Sequence, residues 1–205
     1  MPPSPKPLKG FFLKVVLWLP LAFAIWYYFS ILLTTPLRWV VDLLLPAIAP
    51  SLFADVLQQG YLLEIVTRLH PVAAPGVPVP YPGASISFDI NPLIYGYSYP
   101  LFTALATATP TEEGQKWWRW ALGIGVLLLV QCWGICFDAL KTAVINLGPQ
   151  LRGQISPDDW PLDLIALGYQ FGYLILPAVT PLVLWVGLFR DFVGSLAPAL
   201  QERSA

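Results

Sequence analysis

Charge is what this 205-residue chain has least of. Asp, Glu, Lys and Arg together make up 11% of it, against about 25% in an ordinary globular domain. So few charges cannot clothe a water-facing surface of this size, so lipid must cover much of it. The net charge is −1, which excludes the basic face that nucleic acid requires, and no nucleic-acid partner is expected. Cysteine is scarce, with only Cys132 and Cys136, and there is a single histidine, His70. Two thiols inside one apolar run form neither a disulfide framework nor a zinc set, so no metal and no cofactor are expected. Gly123/Gly125 and Gly168/Gly172 are not phosphate loops, because no strand precedes them and no Lys-Ser/Thr follows.

What the chain does have is hydrophobic length: 57% apolar residues, a mean hydropathy of +0.65 and nine tryptophans. The stretch Trp117–Phe137 carries one charge, Arg119, and after it nothing more polar than Gln131. As a helix it covers roughly 30 Å, the thickness of a bilayer's hydrocarbon core. Trp117, Trp118 and Trp120 crowd one end and Trp133 approaches the other, as aromatics do at membrane interfaces.

The remaining elements fall on either side of it. Residues 1–10 read as a disordered basic lead, and 11–35 as a first transmembrane helix kinked at Pro20. Residues 36–91 read as extracytoplasmic. An interfacial helix carries Arg38 and Asp42 on one face, and a second short helix starts at Ser51. After them comes a β-like hairpin of Tyr61–Leu69 and Ala84–Ile90 around a Pro-rich loop. A full span at 37–53 is the poorer alternative, since two prolines and two charges fall within or beside it. In the first strand Leu63, Ile65, Thr67 and Leu69 share a side, and in the second Ile86, Phe88 and Ile90 do. Residues 92–110 read as a second transmembrane helix starting near Tyr99, and 117–146 as a third with an amphipathic extension. Residues 147–163 form an outer loop, 164–189 a fourth span kinked at Pro177 and Pro181, and 190–205 a frayed cytoplasmic tail. The fold class is therefore an all-α polytopic membrane protein of about four spans, with interfacial helices and a small extracytoplasmic β-like segment.

Orientation follows from the cations. Lys6, Lys9, Lys14, Lys116, Arg119, Arg190 and Arg203 fall on one side, and Arg38, Arg68, Lys141 and Arg152 on the other. The richer side is cytoplasmic by the positive-inside rule, which puts both termini inside.

Candidates for chemistry are few. Cys132 and Cys136 stand four apart on one helical face. Either they are packing residues or Cys136 is the nucleophile of a membrane-embedded transpeptidase, with His70 and one of Arg38, Arg68 or Arg152 as its helpers. Asp138 with Lys141 and Thr142 is either a functional polar cluster or an interfacial ion pair. Gln170 is expected to hydrogen-bond across to another helix. The outer layer 38–90 is the partner-facing candidate, with Arg68, Ile86, Phe88 and Asp89 as its surface. The edge of 84–90 offers unpaired backbone groups to an extended peptide.

Several motifs together resemble one family. Trp18–Leu21 (WLPL) opens the first span, and Ser87–Ala106 reads SFDINPLIYGYSYPLFTALA. After a charged turn come WWRWALG and then Trp133–Lys141, WGICFDALK. This combination is similar to the exosortase H-associated membrane proteins of bacterial inner membranes. The resemblance implies association with an exosortase, a membrane cysteine transpeptidase acting on C-terminal sorting signals of exported proteins, and it carries over no catalytic residues. The resulting expectation is a non-enzymatic accessory or scaffold whose partners are the bilayer and an exosortase or other membrane protein. The alternatives are a thiol transpeptidase or protease using Cys136, and a structural subunit of an unrelated membrane complex.

Overall fold

The computed structural model describes residues 6–72, 83–147, 151, 153–155 and 160–201. Residues 1–5 of the N-terminal lead, the Pro-rich segment 73–82, residues 148–150, Arg152 and 156–159 of the outer loop, and 202–205 of the tail lie outside the described residues. Among the described residues, four helical runs are long and apolar enough to cross a membrane: Lys9–Tyr28, Ser30–Ile48, Glu113–Asn146 and Leu162–Leu188. The chain divides into two compact units, one of residues 1–29, 96–129 and 176–205, the other of 30–95 and 130–175.

The first unit is helical. It contains α1 (Lys6–Tyr28), α4 (Ser98–Ala108), the N-terminal part of α5 (Glu113–Leu140), α7 (Leu176–Leu188) and α8 (Arg190–Gln201). Helix α1 begins inside the expected disordered lead, and Pro20 lies within it without ending it. Small residues let α4 pack against both α1 and α7: Ala104 and Ala106 are fully buried around Phe102. Phe102 packs with Leu127 and Phe189, and Gly123 makes room for its ring, because a Cβ there would collide with it. Two indoles pin this unit, Trp120 Nε1 donating to Thr103 Oγ1 at 3.0 Å and Trp185 Nε1 to Thr109 Oγ1 at 2.9 Å. The tail is helical as α8 instead of frayed. Phe192 packs on the Phe11 ring at 5.1 Å, and Asp191 lies 3.6 Å from Arg119.

The second unit holds α2 (Ser30–Ile48), strands β1 (Phe53–Gln59), β2 (Leu62–Thr67) and β3 (Ser87–Ile90), and α3 (Leu93–Gly96). The C-terminal part of α5, the π-helical segment π1 (Lys141–Asn146), α6 (Leu162–Gln170) and a second π segment π2 (Phe171–Ile175) complete it. The sheet is antiparallel in the order β1-β2-β3. Leu63, Ile65, Thr67 and Leu69 are buried, as their alternation requires, with Ile90 buried and Ile86 and Phe88 half-buried beside them.

Three expectations change here. Residues 53–59 form a strand where a short helix from Ser51 was expected. The signal was Gly60, which takes φ +64° in a two-residue connection between Gln59 and Leu62, as a glycine-first hairpin turn requires. Second, α2 is one continuous helix through Pro36 and Pro46. It tolerates them because Thr34, Leu37, Val41 and Leu45 form a buried stripe, so tertiary packing offsets the lost backbone bonds. Third, 92–110 is no single long helix but α3 followed by the 11-residue α4, which is only about 17 Å long. Prolines also explain the last helical run. Pro177 cannot donate to the carbonyl four residues back, and the helix widens into π2 in the turn before it.

Candidate functional site

The thiols are enclosed. Cys132 and Cys136 are free and 2% and 5% exposed, on the face of α5 that also carries the fully buried Ile135 and Ala139. His70 is committed elsewhere. Its ring Nδ1 lies 3.0 Å from the Ala84 carbonyl, and its peptide is clamped by Gln154. The His70 N–H donates to Gln154 Oε1 at 2.8 Å, and Gln154 Nε2 donates to the His70 carbonyl at 2.8 Å. Arg68 Nε donates to the Phe53 carbonyl at 3.2 Å and Arg38 Nε to the Val56 carbonyl at 2.7 Å. Among the described residues neither cysteine has a hydrogen bond or ion pair with His70, Arg38 or Arg68. Cys132→Ala and Cys136→Ala are therefore expected to cost about 1 kcal/mol each at most, a small cavity effect, read by thermal unfolding in detergent. In intact membranes a maleimide is expected to leave both thiols unlabelled.

The polar cluster is richer than Asp138 and Lys141 alone. The Lys141 ammonium lies over the Tyr169 ring, 4.2 Å from its centroid, and not in an ion pair with Asp138. Tyr169 stacks on Tyr173 at 5.8 Å, and Tyr173 meets Tyr95 edge-on at 6.2 Å. Tyr95 is fully buried. Its hydroxyl lies close to the Asp138 carboxylate. Glycines permit this crowding. A Cβ on Gly134 would strike the Tyr95 ring, and one on Gly172 would come within 2.9 Å of the Gly134 Cα. Gly168 lies against Phe137 in the same way, and its carbonyl accepts from Trp133 Nε1 at 3.2 Å. Gly123, Gly134, Gly168 and Gly172 are thus close-contact sites, whereas Gly125 meets nothing within 4 Å, and Tyr95, Tyr169 and Tyr173 are members of the polar cluster that the spacing of Asp138 and Lys141 did not reveal.

The two sheet edges differ. In the β1–β2 register Val56 faces Ile65, and both backbone groups of Val56 turn away from β2 toward α2. Arg38 supplies a donor to its carbonyl, and Asp42 Oδ1 accepts from its N–H at 2.9 Å, with Asp55 Oδ1 at 2.8 Å. A pair four apart on a helix thereby stands in for a neighbouring strand and closes the edge. Arg38 holds its two carboxylates more loosely, at 3.6 Å to Asp42 and 4.0 Å to Asp55. Beside this lock lies an open cleft of about 480 Å³ lined by Thr35, Arg38, Leu57, Gln58, Gln59 and Glu64. On β3, Phe88 pairs inward with Ile65, so the backbone groups of Ser87 and Asp89 point away from β2. Of the four surface candidates Asp89 is exposed and Ile86 and Phe88 are half-buried, while the exposed Arg68 is tied to Phe53.

Gln131 and Gln170 behave differently. Gln131 is buried and donates to the Pro92 carbonyl at 2.8 Å. Gln170 is exposed at the end of α6, and among the described residues its side chain makes no hydrogen bond, where a bond across to another helix was expected.

No curated protein and no solved structure matches the chain. Its first span, its short α4 under the PLF motif and the WGICFDALK turn of α5 all fall within a single family match over residues 5–192. By that match the chain belongs to the exosortase H-associated membrane protein family.

Proposed function

We propose that this protein is a non-enzymatic accessory or scaffold of an exosortase-type sorting system in the bacterial inner membrane. One observation carries the reading: among the described residues, the groups that would build a thiol active site are already committed. His70, Arg38 and Arg68 hold backbone carbonyls or are held through their own peptides, and both cysteines are enclosed in apolar packing. A thiolate in such surroundings is strongly disfavoured. The test is complementation in a strain lacking the gene, scored by maturation of an exported sorting substrate. The variant with both cysteines replaced by alanine is expected to restore maturation to the wild-type level. Loss of maturation in Cys136→Ala at normal protein level would make the protein the transpeptidase instead.

Both termini are cytoplasmic in this reading. The clamp between His70 and Gln154 supports it, because two segments bonded to each other lie on the same side of a membrane. The chain between them then crosses an even number of times. If α5 and π1 cross once, the apolar segment containing α3 and α4 supplies the return, despite its length. Helix α2, with a sheet that carries Gln59 and Glu64 together on one face, lies at the outer interface rather than across the bilayer. Reporter fusions check this, with a cytoplasmic signal expected at residue 205 and a periplasmic signal in 73–83. The reverse at either position refutes the orientation.

The outer layer is the partner-facing part. With β1 closed by Arg38 and Asp42, β3 is the edge available for strand addition by an extended peptide, and Asp89 with Ile86 and Phe88 borders it.

A further inference from the structure

We propose that the outward face of α6 and π2 is a homodimer interface in the membrane, with Gln170 as its polar centre. Leu164, Leu167, Phe171 and Leu174 are 57%, 61%, 41% and 60% exposed, and they form one stripe at helical spacing. Gln170 sits within that stripe, its side chain exposed and without a hydrogen bond among the described residues. It is eight residues beyond Leu162, the first residue of an apolar run long enough to span, or about 12 Å along the helix. A carboxamide at that depth has two donors and an acceptor with no water to satisfy them, and its chain is too short to reach the surface. An apolar cover would leave it unsatisfied, so its cover must bring a hydrogen-bonding group to the same depth. A second copy does so automatically. Two chains inserted the same way are related by a two-fold axis along the membrane normal, which puts both Gln170 side chains at one level. The carboxamide is also its own complement, the N–H of one donating to the oxygen of the other. The small residues that would mark a close-packed backbone contact, Gly168 and Gly172, face Phe137 and Gly134 within the chain. The stripe itself is therefore large and leucine-rich, with the amide as its specific bond.

Two differently tagged copies, co-expressed and solubilised from membranes, test this. Wild-type copies are expected to co-purify, Gln170→Leu in both to lower the yield about tenfold, and Gln170→Asn to retain most of it. Because Gln170 is exposed, the leucine variant leaves packing within the chain untouched. As a second measurement, single cysteines at Leu167 or Leu174, in a chain carrying Cys132→Ala and Cys136→Ala, are expected to form oxidised dimers in membranes. A cysteine replacing the exposed Leu43 of α2 is not. Absence of co-purification, an unchanged yield for Gln170→Leu, cross-linking at Leu43 instead of the stripe, or loss through Gln170→Leu of a different membrane protein in place of the second copy would each overturn the proposal.

Discussion

Gly134→Leu is expected to lower stability by about 3 kcal/mol, or roughly 10 °C in the thermal midpoint of the detergent-solubilised protein. Two groups converge on that position. The Tyr95 ring lies where a Cβ would go, and the approach of Gly172 leaves only 2.9 Å between its own would-be Cβ and the Gly134 Cα. None of these neighbours is the free end of a flexible chain, so an added side chain must move a fully buried tyrosine or a helix backbone. Gly125→Leu is the matched control. It lies on the same helix with nothing within 4 Å of its would-be Cβ, and it is expected to change stability by less than about 0.5 kcal/mol. Equal effects at the two glycines would show that α5 and π2 do not cross so closely.

Arg38→Met should be the next most damaging change, at about 2 kcal/mol, because it removes a charge-assisted donor and leaves two acids behind. The Val56 carbonyl loses its 2.7 Å partner, and Asp42 and Asp55 face each other across the Val56 N–H without a cation. The Arg38 side chain is 28% exposed, so water recovers part of the loss. Backbone amide exchange should report it locally. Protection in β1 is expected to fall while that of α4 and α7, in the other compact unit, stays as it was. Arg38→Lys should rescue only partly, because one ammonium cannot hold the carbonyl and both carboxylates in the geometry of a planar fork. Uniform loss of protection across the chain would mean that the pair is not a local edge closure.

Legibility in the sequence followed the range of the interaction responsible. The run from Trp117 to Phe137 needs only its own composition to declare a long apolar helix, and the structure extends it to Glu113–Asn146. The alternation in β2 and β3 is equally local, and its sides came out as read. At α2 local rules failed. Pro36, Pro46, Arg38 and Asp42 each argue against one long helix when read singly. In the fold the two charges are offset by the Val56 peptide, 14 and 18 residues away, and the two prolines by the buried stripe along α2. The same holds for β1, whose strand character depends on β2 and α2 more than on FADVLQQ itself.

Composition and periodicity thus determined, without help, that the protein is a helical membrane protein with a small sheet, and the motifs from WLPL to WGICFDALK placed its family. Both are properties of short stretches that survive whatever the rest of the chain does. Only the tertiary structure decided what the polar residues are for. It set His70 in a clamp with Gln154, Arg38 in the closure of a strand edge, Tyr95 above Gly134, and Gln170 on an outer face with no partner. A polar group in an apolar chain must find whichever complementary group the fold brings near it, and sequence spacing carries no record of that distance.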